Sequence, residues 1–339
     1  MAQRVTMNDV AKKAGVSVAT VSLALKSSGS RIPETTAQKV RAAAEELGYI
    51  PDAAARALRT GSSQLIGFIS DEVTVTRFAS AMVRGILDEA ERAGYDVLMA
   101  ETGHDPVRFA KAMRVLEARG VDGIIIGVMS SRNISIPTSK RTPPIVVVNG
   151  VADGKHSVLP DEYQAGFDAV QQLVSRGHKK IAFIGRHIPT HEDNESVNIP
   201  VRMAAIDDAM AQAGLSFAYE IRSQVWEPDT GYRGTLEILD NSSGITAILA
   251  ANDRIAVGVY QALHDRHLGV PEHVSVMSFD DEDLASIVRP PLTTLRLPYR
   301  EMGETGVREL LALVRGEKVP QQPSLLHLPL VSRASLADA

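Results

Sequence analysis

Residues 5–25, VTMNDVAKKAGVSVATVSLAL, predict two short helices joined by a tight turn. Thr6 can cap the first helix and Gly15 can end it, while Ser17 can cap the second helix. Apolar residues recur three and four apart, so each helix presents one apolar face to a shared core. A third helix over about 34–47 would cover that core. The spacing indicates a helix-turn-helix head, whose second helix fits the DNA major groove, although an ordinary three-helix packing unit would give a similar pattern.

The distribution of charge separates this head from the rest of the chain. Residues 1–61 carry nine Lys and Arg against five Asp and Glu, a charge of +4. Since the whole chain of 339 residues carries −5, the remainder carries −9. A basic head on an acidic body indicates that only the head contacts a polyanion.

Composition excludes several classes of protein. The chain has no cysteine, which excludes disulfides, thiolate metal sites and thiol nucleophiles. Its first residues, MAQRVTMNDVAKKAG, contain no apolar signal core. No apolar run approaches the roughly 20 residues that cross a bilayer. We therefore expect a cytoplasmic protein without a membrane partner.

The segment PDAAARALRTG, residues 51–61, connects the head to the body. Pro51 can begin a helix and the alanines are good helix formers, but the segment is shorter than the roughly 12 residues that an isolated helix needs. We therefore expect a hinge helix and linker over 51–62 that orders only when it docks against a partner. An inert alanine-rich linker is the alternative.

From Gln64 onward, short apolar runs such as LIGFIS, GIIIG and IAFIG alternate with amphipathic stretches. This alternation predicts two α/β lobes, each a parallel sheet flanked by helices, with ligand groups gathered where the strand ends of the two lobes face one another. The predicted domains are a head at 1–50, a hinge at 51–62 and a core at 63–339, with a first lobe at about 63–160 plus 292–325 and a second lobe at about 161–291 plus 326–339.

The same fold serves solute-binding proteins and sugar-metabolising enzymes, so site residues must decide. The sequence contains neither G-x-G-x-x-G nor G-x-x-x-x-G-K-[ST]. His187 and His191 stand four apart, which could bind a metal on a helix, but Pro189 and polar neighbours favour a solvated loop. The adjacent carboxylates of Asp280 and Asp281 would suit glycosidase-type catalysis, which uses a pair of acids. Adjacent acids after a strand, however, more often form hydrogen bonds within a loop or to a ligand. We predict no catalytic, metal or cofactor site.

Two segments of the head and hinge, VTMNDVAKKAGVSVATVSLAL and KVRAAAEELGYIPDAAARAL, closely resemble the lactose-repressor/galactose-repressor (LacI/GalR) family of transcriptional regulators. The segments SRGHKKIAFIG, AILAANDRIAVGVYQAL and SVMSFDDEDLA extend the resemblance over nearly the whole chain. It implies an α/β fold class, with an N-terminal all-α helix-turn-helix head joined by a hinge helix to a two-lobed periplasmic-binding-protein-like core with parallel sheets.

The resemblance implies which residues contact operator DNA. Val18, Ala19 and Leu23 stand at positions that read bases. Many members have Arg where this chain has Leu23, and Leu offers an apolar contact, for example to a thymine methyl, so the operator half-site should differ. In the hinge, Leu58 would part a base step in the minor groove. The residues predicted to contact DNA are Thr6, Ser17, Val18, Ala19, Thr20, Ser22, Leu23, Arg31, Ala55, Arg56, Leu58 and Arg59.

The resemblance also implies an effector site. Arg202, Asn252 and Asp280 fall where members of the family bind effector. Asn149 is a further match at a strand end, and Phe78 could stack on a sugar face. Guanidinium, amide and carboxylate groups supply donors and acceptors for neighbouring hydroxyls. Singly, each has a structural alternative: Arg202 a surface ion pair, Asn252 a helix cap and Asp280 a turn residue.

Most members of this family repress genes for carbohydrate use. We therefore expect a regulator that binds a near-palindromic operator in double-stranded DNA as a homodimer, with its affinity controlled by a small-molecule effector, a sugar or sugar derivative, between the lobes. Whether effector releases or recruits DNA stays open. A solute-binding protein would need an export signal and no basic head, and a sugar-metabolising enzyme would need a nucleophile, metal or phosphate loop.

Overall fold

The computed structural model of the chain describes residues 5–25, 32–49, 61–137, 139–189 and 195–339, without the side chain of Phe78. It has two compact units, Met1–Ser63 and Gln64–Ala339. Five of the residues predicted to contact DNA lie outside the described residues: Arg31, Ala55, Arg56, Leu58 and Arg59.

The first unit is a three-helix head. Asp9 accepts hydrogen bonds from the backbone N–H and the hydroxyl of Thr6, at 2.8 and 2.7 Å, which fixes the start of the first helix. Gly15 ends that helix with a φ of 65°, in the left-handed region that glycine adopts without strain. Buried alanines and valines of all three helices form one core. The helices are α1 (Met7–Ala14), α2 (Val18–Ala24) and α3 (Glu34–Glu46).

The second unit begins with a lobe built on six parallel strands in the order β11-β5-β4-β3-β1-β2. The apolar runs of the four central strands are buried because helices cover both faces of the sheet. The strands are β1 (Leu65–Asp71), β2 (Asp96–Glu101), β3 (Gly123–Val128), β4 (Ile145–Val148), β5 (His156–Pro160) and β11 (Ser324–Leu326). The helices are a 3-10 turn (Arg77–Ala79), α4 (Ser80–Arg92), α5 (Pro106–Arg119) and α11 (Tyr299–Val314).

The second lobe repeats the plan with the strand order β12-β10-β9-β8-β6-β7, in which only β12 runs antiparallel to its neighbour. The strands are β6 (Ile181–Arg186), β7 (Tyr219–Arg222), β8 (Ala247–Ala250), β9 (Ser275–Asp280), β10 (Thr293–Arg296) and β12 (Leu330–Val331). The helices are α6 (Glu162–Val174), α7 (Ile199–Gln212), α8 (Pro228–Asn241), α9 (Asp253–Asp265) and α10 (Asp283–Ile287). The predicted α/β architecture of two parallel-sheet lobes is confirmed.

The chain crosses between the lobes three times, and the predicted second crossing at residue 292 is wrong by a few residues. Strand β10 pairs with β9 of the second lobe, and the chain returns to the first lobe only after Arg296. The physical reason is a buried polar contact, since the Thr294 hydroxyl donates to Asp253 of the second lobe at 2.8 Å. The third crossing lies between Leu326, which pairs with β5, and Leu330.

Among the helices that the structure describes, none is both long enough and apolar enough to span a bilayer.

Candidate functional site

In the head, α2 presents an exposed face that carries part of the predicted DNA-contacting set. Val18 and Leu23 are 40% and 42% exposed, although both are apolar. Ser17 and Ala19 are also exposed, whereas Val21 on the opposite face is buried in the head core. A short helix that turns apolar side chains to the surface has a face that is free to contact another molecule.

The polar residues at the start of α2 are occupied within the head. Thr20 donates its backbone N–H to Ser17 Oγ at 3.1 Å, and the two hydroxyls lie 2.9 Å apart. Thr20 and Ser22 are half-buried. Ser17 therefore caps α2 as its sequence position predicts, and its role toward DNA stays a prediction.

In the second unit, Arg202 on α7 is buried, not on the surface. Its Nε and Nη2 donate to the two carboxylate oxygens of Glu162 at 2.6 and 2.8 Å, and its Nη1 donates to the carbonyl of Ala251 at 3.0 Å. The face of the guanidinium lies 4.3 Å from the ring centre of Phe279. The alternative of a surface ion pair for Arg202 is thus wrong, because its partner Glu162 is buried with it.

Asp280, at the end of β9, is the predicted residue that lies beside Arg202. Its Oδ1 is 4.0 Å from Arg202 Nη2. Burial is the main cause that raises the pKa of Asp280 to about 8, with Arg202 opposing it and Asp253 and Glu162 adding to it. Its neighbour Asp281 is engaged separately by Arg296 at 2.7 Å and Arg333 at 2.5 Å. The two adjacent acids therefore have different surroundings.

Asp253 was not predicted as a site residue, yet it anchors the loop that follows Asp280. It accepts hydrogen bonds from the hydroxyls of Ser278 and Thr294 and from the backbone N–H of Glu282 at 2.7 Å. Burial raises its pKa to about 7, although these hydrogen bonds lower it. In the sequence, Asp253 reads as an ordinary acid in the first turn of a helix, so nothing local marks its contacts with β9 and β10.

The two predicted asparagines are held by the backbone around them. Asn252 caps α9, since its Oδ1 accepts from the N–H of Ile255 at 2.9 Å, and its Nδ2 donates to the carbonyl of Trp226 at 3.3 Å. Asn149 has a φ of 60° and donates from Nδ2 to the carbonyl of Val128 at 2.8 Å. Both side chains are buried. The helix-cap alternative for Asn252 is therefore confirmed.

A cavity of about 720 Å³ lies between the two lobes. Asp280 and Glu282 of the second lobe line it, and so do Ser80 and Ala81 of the first. Of the predicted effector residues with described side chains, the structure brings Asp280 to this cavity, and Arg202 lies behind it. Asn149 and Asn252 are not among the described residues that line it.

Contacts between described residues join the two lobes, one of them at this cavity. Arg77 and Asp283, which both line it, form an ion pair of 2.9 Å. In the loop before α7, the backbone N–H of Val197 donates to the carbonyl of Ser131 in the first lobe at 2.7 Å. Because these bonds connect different lobes, an opening motion would break them.

Comparisons with known proteins agree with this architecture. The head matches the family model "Bacterial regulatory proteins, lacI family" over residues 6–52, and the core matches "Periplasmic binding protein-like domain" over residues 170–336. The ribose operon repressor of Escherichia coli (strain K12) is 32% identical over 97% of this chain and 99% of its own. The transcriptional regulator AscG of the same strain is 33% identical over 92% of each.

Among solved structures, the lac repressor dimer bound to operator and the anti-inducer ONPF matches with a TM-score of 0.75 and 28% identity, over 99% of this chain and 100% of that chain. The relatives are named as regulators or repressors, and their similarity spans head and core together. The chain therefore belongs to the lacI family of bacterial regulatory proteins, and it is a DNA-binding transcriptional regulator rather than an enzyme or a solute-binding protein.

Proposed function

We propose that this regulator is a repressor that acts in the cytoplasm, binds a near-palindromic operator as a homodimer and changes its operator affinity when a carbohydrate occupies the cavity between the lobes. Residues 1–50 would be the DNA-binding domain, 51–62 the hinge, and the remainder the effector-binding and dimerisation core. The proposal depends on the presence of two features in one chain. The basic head has a helix with an exposed face, and the core has a buried guanidinium and a carboxyl beside a cavity between the lobes.

The DNA side of the proposal rests on α2. Val18, Ala19 and Leu23 share its exposed face and would contact base edges and thymine methyls in the major groove. Thr6 precedes α1 and is exposed, as a residue contacting a phosphate would be. Two heads related by a twofold axis would double the contact and require a near-palindromic operator.

The effector side rests on the chemistry around Asp280. Arg202 and Asp280 provide a planar donor and a carboxyl next to a cavity of about 720 Å³, a size within the range of small-molecule sites. The ribose operon repressor and a lac repressor structure bound to ONPG are among the relatives. Neighbouring sugar hydroxyls both donate and accept hydrogen bonds, so they suit this pair of groups.

The link between the two sites is lobe closure. An effector that bridges Asp280 and the first lobe would favour the closed arrangement, in which Arg77 contacts Asp283 and Val197 contacts Ser131. A coupling of about 1–3 kcal/mol would change operator affinity roughly 5- to 150-fold. We propose that the hinge at 51–62 transmits it by ordering or melting.

A gel shift with the full-length protein tests this function. The probe is the DNA upstream of the protein's own gene, with an unrelated duplex as competitor, in a salt series, with and without candidate sugars. We expect specific retention that weakens with salt, because phosphate contacts release counterions, and a sugar that changes it. The matched variants are Leu23→Ala on the exposed face of α2 and Gln38→Ala on an exposed position of α3. Equal retention of both variants and of the unrelated duplex would contradict the proposal.

A further inference from the structure

The side chain of Arg202 is already paired in this structure. Glu162 takes two of its five N–H donors in a bidentate pair, and Ala251 takes a third through its carbonyl. Arg202 and Glu162 are 3% and 5% exposed. A bidentate pair of this kind is held in one geometry and neutralises the cation locally, so Arg202 is a poor partner for a second, charged ligand.

The other cations around the cavity are also paired. Arg77 pairs with Asp283 and Arg254 with Glu227, each within 3.0 Å. Arg296 pairs with Asp281 at 2.7 Å. The carboxyl of Asp280 faces the cavity with only a 4.0 Å ion pair to Arg202, which Glu162 already neutralises.

From this arrangement we propose that Glu162 is a specificity-determining residue, which neutralises Arg202 and so makes the cavity select an uncharged polyol over a sugar acid or a sugar phosphate. The inference rests on the proposed effector function and names the charge class of that effector. Glu162 acts through Arg202, so it is a positioning residue and does not itself contact the ligand.

The electrostatics of the cluster support this selection. An anion entering the cavity loses its hydration and needs a cation in return, but the described cations there already have carboxylate partners. Burial, together with Asp253 and Glu162, raises the pKa of Asp280 to about 8, so the surroundings already oppose negative charge. A hydroxyl adds no charge, and it can donate to or accept from the carboxyl of Asp280, which lines the cavity.

A purely structural role for Glu162 gives a different expectation. Helices α6 and α7 pack closely where the pair lies, since a Cβ built on Gly166 would sit 2.6 Å from the carbonyl oxygen of Arg202. If Glu162 only held these helices together, replacing it would weaken the binding of uncharged and anionic ligands alike. A change in the ratio of the two affinities separates charge selection from this role.

The experiment is isothermal titration of the full-length protein with D-ribose, D-ribonate, D-ribose 5-phosphate, D-galactose, D-galacturonate and inorganic phosphate. The variants are Glu162→Gln, which removes the charge, and Glu162→Asp, which keeps it. Asp168→Asn on the same helix is the control. Asp168 accepts a hydrogen bond from the side-chain amide of Gln164 and is not among the described residues that line the cavity. A thermal melt of each variant accompanies the titrations.

We expect the unmodified protein to bind an uncharged sugar at least about tenfold more tightly than the corresponding sugar acid or sugar phosphate. This ratio of dissociation constants corresponds to about 1.4 kcal/mol. In Glu162→Gln we expect this ratio to fall and inorganic phosphate to bind at least about tenfold tighter than in the unmodified protein. Glu162→Asp and Asp168→Asn should keep the original ratio.

Three results would overturn the inference: tighter binding of the acid or phosphate by the unmodified protein, an unchanged ratio in a folded Glu162→Gln, or no gain in phosphate affinity there. If Glu162→Gln does not fold, the preference of the unmodified protein still decides, since tighter binding of the acid or phosphate overturns the inference. Failure of the proposed function looks different, since no sugar in any form would then bind or alter the gel shift, while the phosphate titration would still test Glu162.

Discussion

Replacing Asp280 with Asn should change how stability depends on pH. Burial raises the pKa of Asp280 in the folded state to about 8, against an ordinary value of 3.8 for an aspartate side chain. Between these values the folded state binds a proton that the unfolded state releases, so the free energy of unfolding falls as pH rises through this window. At pH 5 the carboxyl of Asp280 is protonated in the folded state and resembles the neutral amide of Asn. At pH 8 the carboxyl of Asp280 is half ionised, whereas the amide of Asn stays uncharged.

The size of the effect follows from this window. From pH 5 to pH 8, a single site of this kind can cost at most about 4 kcal/mol, at about 1.36 kcal/mol per pH unit. Asp253 is one of the groups that raise the pKa of Asp280, so the two buried carboxyls titrate as a coupled pair. Because the pH-dependent loss of stability is divided between the two coupled carboxyls, Asp280→Asn should remove only part of it. We expect the free energy of unfolding of Asp280→Asn, relative to that of the unmodified protein, to be about 2 kcal/mol higher at pH 8 than at pH 5.

Urea unfolding at pH 5, 6, 7 and 8 measures this gain. The chain has a single tryptophan, Trp226, which packs against the core of the second lobe and reports on its unfolding. Asp153→Asn, at an exposed loop position, removes one carboxylate elsewhere as the control. Parallel curves of free energy against pH for Asp280→Asn and the unmodified protein would refute the reasoning.

Three further outcomes follow from named contacts. Arg202→Ala should lower the free energy of unfolding by about 3–5 kcal/mol in urea, because it leaves Glu162 buried without its partner; a loss under 1 kcal/mol would contradict the buried pair. Gly231→Ala should destabilise the second lobe in the same assay, since its Cβ would sit 1.9 Å from the Ile255 carbonyl oxygen, and an unchanged midpoint would count against this packing. Leu23→Ala should cost about 1–2 kcal/mol of operator affinity, measured by anisotropy, without weakening non-specific binding; equal losses on both DNAs would exclude base contact.

Local patterns were sufficient to predict the head and the alternation of strands and helices. The Thr6–Asp9 cap, the left-handed Gly15 and the Ser17 cap each depend on residues within a few positions, so their sequence determines them directly. The buried strands of both lobes are continuous apolar runs, which mark parallel sheets covered on both faces.

The site was only partly predictable because its contacts join distant parts of the chain. Glu162 lies in the first turn of a helix, where an acid is usual for reasons of helix polarity, and nothing near it announces a partner 40 positions away at Arg202. Asp253 likewise contacts Ser278 and Thr294. The same long-range contact explains why β10 was assigned to the wrong lobe, since a four-residue strand carries no local sign of its sheet.

The central claim is that ligand in the interlobe cavity and DNA at the head are coupled. Thermodynamic linkage makes this coupling reciprocal, so a sugar that changes operator affinity must have its own affinity changed by operator in the same ratio. The decisive measurement is calorimetric titration of the sugar found in the gel shift into the full-length protein, with and without saturating operator duplex. We expect its dissociation constant to change by about 5- to 150-fold, matching the shift in operator affinity; identical sugar affinities with and without operator would contradict the account.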